Sequence, residues 1–172
     1  MRSGMRVPRW RCCASWAWAM RPLPPPCVMR TGLPGCSACA TARLWTPRPE
    51  AELWLDGGHN PDAGRALSGH LSTLPQRPTY MICGMLNTKD AGGYLGAFAG
   101  LLRGLRAVGI PGEPNTLPAS ETAARATRAG LVAQPAADVA SALAEIVQAE
   151  PSARILIGGS LYLAGQVLRD NG

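Results

Sequence analysis

From residue 51 onward the chain alternates two kinds of apolar pattern. Short, nearly continuous apolar runs bounded by turn formers read as buried strands: ELWLD (52–56), TYMICGM (79–85), RAVGI (106–110), LVAQ (131–134) and RILIGG (154–159). Between them, apolar residues recur at helical spacing in PDAGRALSGHLSTL (61–74), DAGGYLGAFAGLLRGL (90–105), SETAARATRAG (120–130), DVASALAEIVQA (138–149) and SLYLAGQVLRD (160–170). The third of these helices opens with a good capping pattern and ends on glycine. Strands alternating with helices of this length predict an α/β domain with a mainly parallel sheet flanked by helices. Ligands of such sheets gather at the carboxyl ends of the strands, where the loops meet.

Residues 1–50 follow neither period. They hold four of the five tryptophans, a PPP and five of the six cysteines, with no core pattern. Residues 1–48 are therefore expected to be irregular or disordered, and residues 49–172 to form the folded domain. Charge divides the same way. The formal net charge is +6, but residues 1–50 carry eight arginines against Glu50 alone, and the rest of the chain is nearly neutral. A basic excess confined to an unpatterned segment argues against nucleic-acid binding. Cys12, Cys13, Cys27, Cys36 and Cys39 are too irregularly spaced for a disulfide framework, and Cys36 and Cys39 form a lone CxxC without partner ligands. Cys83 reads as a small buried strand residue. No stretch approaches the roughly 20 apolar residues of a membrane span, so no membrane is expected as partner. CCASWAWAM (12–20), between Arg11 and Arg21, imitates a leader but is followed by RPLPPPC rather than a small-residue cleavage site, and the expected compartment is the cytoplasm.

The densest chemistry lies in LWLDGGHNPDAGRAL (53–67). Asp56 ends a strand, so its carboxylate is aimed into the loop crevice, where it could accept hydrogen bonds from a pair of sugar hydroxyls. Gly57 and Gly58 allow a tight turn and close approach of a ligand. Asn60 is a good N-cap and Pro61 suits the first helical position. The helix start offers amides and a positive dipole end to phosphate, and His59 could bond to phosphate or stack near a base. The plainer alternative is that Asn60 and Pro61 only start a helix while Asp56 bonds to the turn backbone.

DGGHNP closely resembles the DGAHNP signature that opens the C-terminal domain of the folylpolyglutamate synthase/dihydrofolate synthase family, in the Mur ligase superfamily. The resemblance continues in order: ICGMLNTKDAGGYL (82–95) is similar to that family's strand and "KD" segment, IPGEPNTLPASE (110–121) to its loop before a helix, and ILIGGSLYLAGQV (155–167) to its closing "GSLYL" turn. These motifs cover nearly all of residues 51–172. The resemblance implies a Rossmann-like fold of the Mur ligase C-terminal type. It also implies an ATP-dependent ligase in which a folate or pteroate carboxylate is phosphorylated and the amino group of glutamate attacks the acyl phosphate. ATP and Mg2+ would be the cofactors, glutamate and a folate or pteroate the partners, and a monomer the usual state. By match to the motif, Asp56, His59 and Asn60 would face the nucleotide. Lys89, Asp90 and Ser160 fall in segments that would meet substrate, although Asp90 and Ser160 equally suit helix caps and Lys89 a solvated position. Tyr162 is expected to pack, and His70 to be an exposed or half-buried bystander.

Most of that family's catalytic apparatus belongs to an N-terminal domain with a GKS/GKT phosphate loop, magnesium ligands and a modified lysine. This sequence contains no GxxxxGK[ST], and its only lysine is Lys89. No catalytic or metal-ligating residue is assigned, and the chain alone is expected to be inactive. The family also carries a segment resembling "WPARLQRL…GP" before the signature strand, where this chain reads TGLPGCSACATAR (31–43). Back-translated with GC-rich codons and read from the third base of each codon, GLPGCSACATAR can become PARLQRLRDGP. Residues 1 to about 47 are therefore read as an out-of-frame translation, with the frame regained near Pro49. Two alternatives stand beside the ligase reading: a non-catalytic nucleotide- or substrate-binding module, and a Mur-type peptide ligase domain.

Overall fold

The computed structural model describes residues 10–12, 27–28 and 50–171. Seven strands form one sheet in the order β2-β1-β3-β7-β4-β5-β6. They are β1 (Trp10–Cys12), β2 (Cys27–Val28), β3 (Glu52–Leu55), β4 (Thr79–Cys83), β5 (Gly104–Ala107), β6 (Ala133–Pro135) and β7 (Arg154–Gly158). All neighbours pair parallel except β1 and β2, so the sheet is mainly parallel as expected. Apart from these two short strands, the expectation for residues 1–48, including the CxxC of Cys36 and Cys39, lies outside the described residues.

Helices α1 (Pro61–Ser72), α2 (Ala91–Gly96), α3 (Ala119–Arg128), α4 (Val139–Ala149) and α5 (Leu161–Asn171) cover both faces. The period-two alternation of the strands sorts the core into two. Trp54, Met81, Cys83, Leu105 and Leu156 face α1, α2 and α3 through Leu67, Leu71, Leu95 and Ala126. Leu53, Leu55, Ile82, Ile155 and Ile157 face α4 and α5 through Leu143, Ile146, Leu163 and Val167. A strand buried on both faces must be apolar at every position, which is why these strands read as continuous runs rather than alternations. His70 is half-buried in α1, its ring 5.8 Å from that of Trp54.

Three expectations are corrected. The helical reading of 90–105 holds only for Ala91–Gly96; turns follow, Gly100 takes φ +77, and Gly104 and Leu105 belong to β5 rather than to a helix. Gly96, Gly100 and Gly104 weaken any helix through them. Gly104 serves a close approach instead, since a Cβ there would stand 3.3 Å from the ring of Tyr80. The expected cap of the third helix is absent: α3 starts after Pro118 and has no side-chain cap bond. Its end does follow the expectation, with Gly130 at φ +87 just beyond Arg128. Finally, Tyr162 does not pack; it is 59% exposed on the first turn of α5. No helix of the described residues is long and apolar enough to cross a membrane.

Candidate functional site

The Asp56 turn is fixed by the sheet beneath it. The Asp56 amide donates to the Ile157 carbonyl at 3.0 Å, extending the β3–β7 ladder by one residue before the chain turns away. Its side chain is only 3% exposed, and Oδ1 accepts the Gly58 amide hydrogen at 2.6 Å. Burial pushes the carboxyl above its ordinary value, while the Gly58 bond and the nearby His59 pull it back down. The bond to Gly58 is the local role foreseen for Asp56 as the plainer alternative.

His59 Nδ1 lies 3.0 Å from the Gly57 carbonyl oxygen. A carbonyl only accepts, so Nδ1 carries the hydrogen, and in the neutral ring Nε2 is left as an acceptor. Asn60 accepts the Ala63 amide through Oδ1 at 2.8 Å, with Pro61 in the first turn. Of the first-turn amides of α1, Pro61 has none, Ala63 is capped, and Asp62 brings a carboxylate paired with Arg65. Asn60 thus acts as the cap of α1.

A second turn stands beside the first because β7 neighbours β3. It runs through Gly158, Gly159 and Ser160 into α5. Gly159 takes φ +97, and a Cβ there would lie 2.6 Å from Cys83 Sγ and 2.9 Å from the Gly84 oxygen, so only glycine fits. Ser160 is 2% exposed, and its Oγ accepts the Tyr162 amide at 3.1 Å, the cap foreseen for it. No acid lies in the first turn of α5. A Cβ on Gly57 would collide with the Leu161 side chain, so the two turns are in contact.

The third segment is joined less directly. Lys89 is half-buried, and Asp90 is exposed and caps α2 through the Gly93 amide at 2.9 Å. A Cβ on Gly93 would stand 2.8 Å from the Pro61 ring, so α2 begins against the start of α1. Asp56, His59 and Asn60 therefore lie in one turn and Ser160 in the turn touching it, at the carboxyl ends of β3 and β7, while Asp90 begins α2 next to the start of α1.

Sequence reasoning missed Tyr94. Its buried hydroxyl lies behind the two turns: a Cβ on Gly158 would be 3.1 Å from it and 3.4 Å from the Asp56 carbonyl oxygen. It makes no hydrogen bond of regular geometry. Burial raises its pKa well above the ordinary value, Cys83 and Asp56 add to this, and the Gly159 amide opposes it. A tyrosine at a helical apolar position looks like packing, and its i+4 ring contact with Phe98 at 5.3 Å reinforces that appearance. Cys83, buried as expected, has its thiol pushed up to about 12 and is therefore inert near neutral pH. No group of three or more His, Cys, Asp or Glu stands together among the described residues.

Comparison with known proteins agrees with this fold. Residues 45–161 match the family model described as "Mur ligase, glutamate ligase domain". The chain is 33% identical over 113 residues to a folylpolyglutamate synthase of Lacticaseibacillus casei, covering 66% of this chain and 25% of that protein. It resembles the Mycobacterium tuberculosis folylpolyglutamate synthase complexed with ADP, with a TM-score of 0.62, 26% identity, and coverage of 77% of this chain and 32% of that one. It shares its fold with E. coli FolC in complex with DHPP and ADP, with a TM-score of 0.61, 21% identity, and coverage of 74% and 30%. The chain thus spans about a quarter to a third of the length of these relatives.

Proposed function

Since this chain belongs to the Mur ligase glutamate ligase domain family, we propose that its folded part is the C-terminal portion of an ATP-dependent folate:glutamate ligase of the cytoplasm. In that reaction a folate or pteroate carboxylate becomes an acyl phosphate, and the glutamate amine displaces phosphate to form the amide. The observation that carries the reading is Asp56, held almost fully buried at the carboxyl end of β3 inside DGGHNP. Its free carboxylate oxygen suits a ribose diol, and His59 Nε2 is available beside it. Bound ATP supplies the phosphoryl group. This domain's residues would orient the nucleotide and help exclude water from the crevice. By match to the family's segments, Lys89, Asp90 and Ser160 would meet glutamate or folate. No step is assigned to Mg2+ here.

The turn provides contact without phosphoryl-transfer machinery, because this sequence has no phosphate loop of the GxxxxGK[ST] type. The same observation favours a second reading, a nucleotide-binding module without catalysis of its own. Two measurements on the purified chain separate the possibilities. Calorimetric titration with ATP should show binding that Asp56→Ala weakens about tenfold, in line with the loss of a charged hydrogen bond. Equal affinity in both proteins would remove Asp56 from the site. ATP-dependent addition of glutamate to a folate should stay at background, and turnover would show that this chain is catalytically sufficient.

Residues 1–48 are proposed to be an out-of-frame translation. The coding DNA should yield PARLQRLRDGP in a shifted frame across residues 32–43, and its absence from every frame would end that proposal.

A further inference from the structure

A cleft of about 550 Å3 lies at the opposite end of the sheet from the Asp56 turn. Thr79 and Arg154, the first residues of the parallel strands β4 and β7, form its floor, so it opens at the amino ends of the strands. Its walls are the end of α1 and the loops before β4 and β5, with Leu71, Leu74 and Leu101 supplying an apolar side. Three arginines, Arg77, Arg103 and Arg154, are among its lining residues, and no acid is.

The carboxylates that balance these arginines are few and stand outside the lining. Glu52 is shared, 3.0 Å from Arg154 and 3.7 Å from Arg77, and Glu150 reaches Arg103 only at 3.8 Å. Arg154 is buried and held by two bonds, from Nε to Glu52 and from Nη2 to the Pro75 carbonyl at 3.3 Å. A guanidinium has five N–H donors, so Arg154 keeps donors beyond these two while its position is fixed. Arg77 is tied by Nη1 to the Glu50 carbonyl at 2.9 Å, and the Arg103 backbone is pinned by its amide to the Thr79 carbonyl at 2.8 Å. One buried, preset guanidinium flanked by two more accessible ones matches the planar, paired oxygens of carboxylate and phosphate groups.

We propose that this cleft is a second binding site, for a small multivalent anion bearing carboxylate or phosphate groups, independent of the Asp56 crevice. The reading does not depend on the ligase function, because it involves none of the same residues. The test is calorimetric titration of the full chain with citrate and, separately, with inorganic phosphate, at constant ionic strength set by chloride. Saturable binding of at least one anion is expected in the wild type and in Asp56→Ala. Arg77→Ala/Arg103→Ala should weaken it at least tenfold. Arg103, whose side chain is 65% exposed, tolerates replacement without disturbing the core, so Arg103→Glu keeps the test valid if the double variant misfolds. Whichever of citrate or phosphate binds identifies the anion class. Absence of saturable binding to both, indifference to the arginine changes, or loss in Asp56→Ala instead would each overturn the proposal.

Discussion

The carboxylate of Asp56 accepts the Gly58 amide hydrogen at 2.6 Å from a position with almost no access to solvent. That bond favours the charged form, yet burial dominates and the carboxyl is raised above its ordinary 3.8. A raised folded-state pKa in an acid gives stability that is present below the unfolded value and lost as pH rises through the folded one. Asp56→Asn, which keeps an acceptor for Gly58, should therefore raise Tm at pH 7. The gain should vanish in thermal melts below pH 3.8. A gain that persists unchanged into acid would show that desolvation of the charge is not its source.

The two glycines of opposite setting should respond in opposite directions. Gly159→Ala forces an L side chain to φ +97 and into Cys83, so urea melts should show a loss of about 2–4 kcal/mol. Gly69 lies within α1 with nothing near its missing side chain. Gly69→Ala should stabilise by about 0.5–1 kcal/mol through helix propensity alone.

Asn60 has a structural role that can be separated from any ligand role. As the N-cap of α1 it holds the Ala63 amide at 2.8 Å, and Asn60→Ala should cost about 1 kcal/mol. Asn60→Asp or Asn60→Ser should recover most of that loss. Nucleotide affinity that falls in all three variants, beyond the change in stability, would give Asn60 a direct contact that the cap does not explain.

The Glu52–Arg154 pair should show the asymmetry of buried charge. Glu52→Ala leaves a buried guanidinium with a backbone carbonyl as its remaining partner, and unfolding curves should show a loss of about 3–5 kcal/mol. Glu52→Leu/Arg154→Met removes both charges and should be much less destabilised. A double variant as unstable as Glu52→Ala would mean that packing, not the stranded charge, sets the cost.

Much of this was legible in the sequence because burial on both faces of a parallel sheet leaves a strong signature. RILIGG and TYMICGM read as buried strands, and the DGGHNP turn announced its own cap and helix. What escaped reading depended on distance in the chain. Gly104 looked helical because nothing in sequence reveals that Tyr80 will press against it. Tyr94 looked like packing because its hydroxyl acquires meaning only when Gly158 and Asp56 arrive behind it. Tyr162 was expected to pack, yet of Leu161, Tyr162 and Leu163 only Leu163 is buried. The arginine cleft had no motif, since Arg77, Arg103 and Arg154 meet only at the folded ends of separate strands.

The position of β7 carries a consequence for how the protein is made. It is the last strand in the described chain, yet it lies between β3 and β4, and its Arg154 finds Glu52 from 102 residues away. Until Arg154–Gly158 has left the ribosome, β3 has no link to β4 and the apolar faces on either side stay open. Completion of this sheet therefore waits on the synthesis of β7, and the faces it closes stay exposed in a nascent chain until that strand emerges. Translation that stops before β7 would release a chain missing its keystone, one for the cell's quality control to clear.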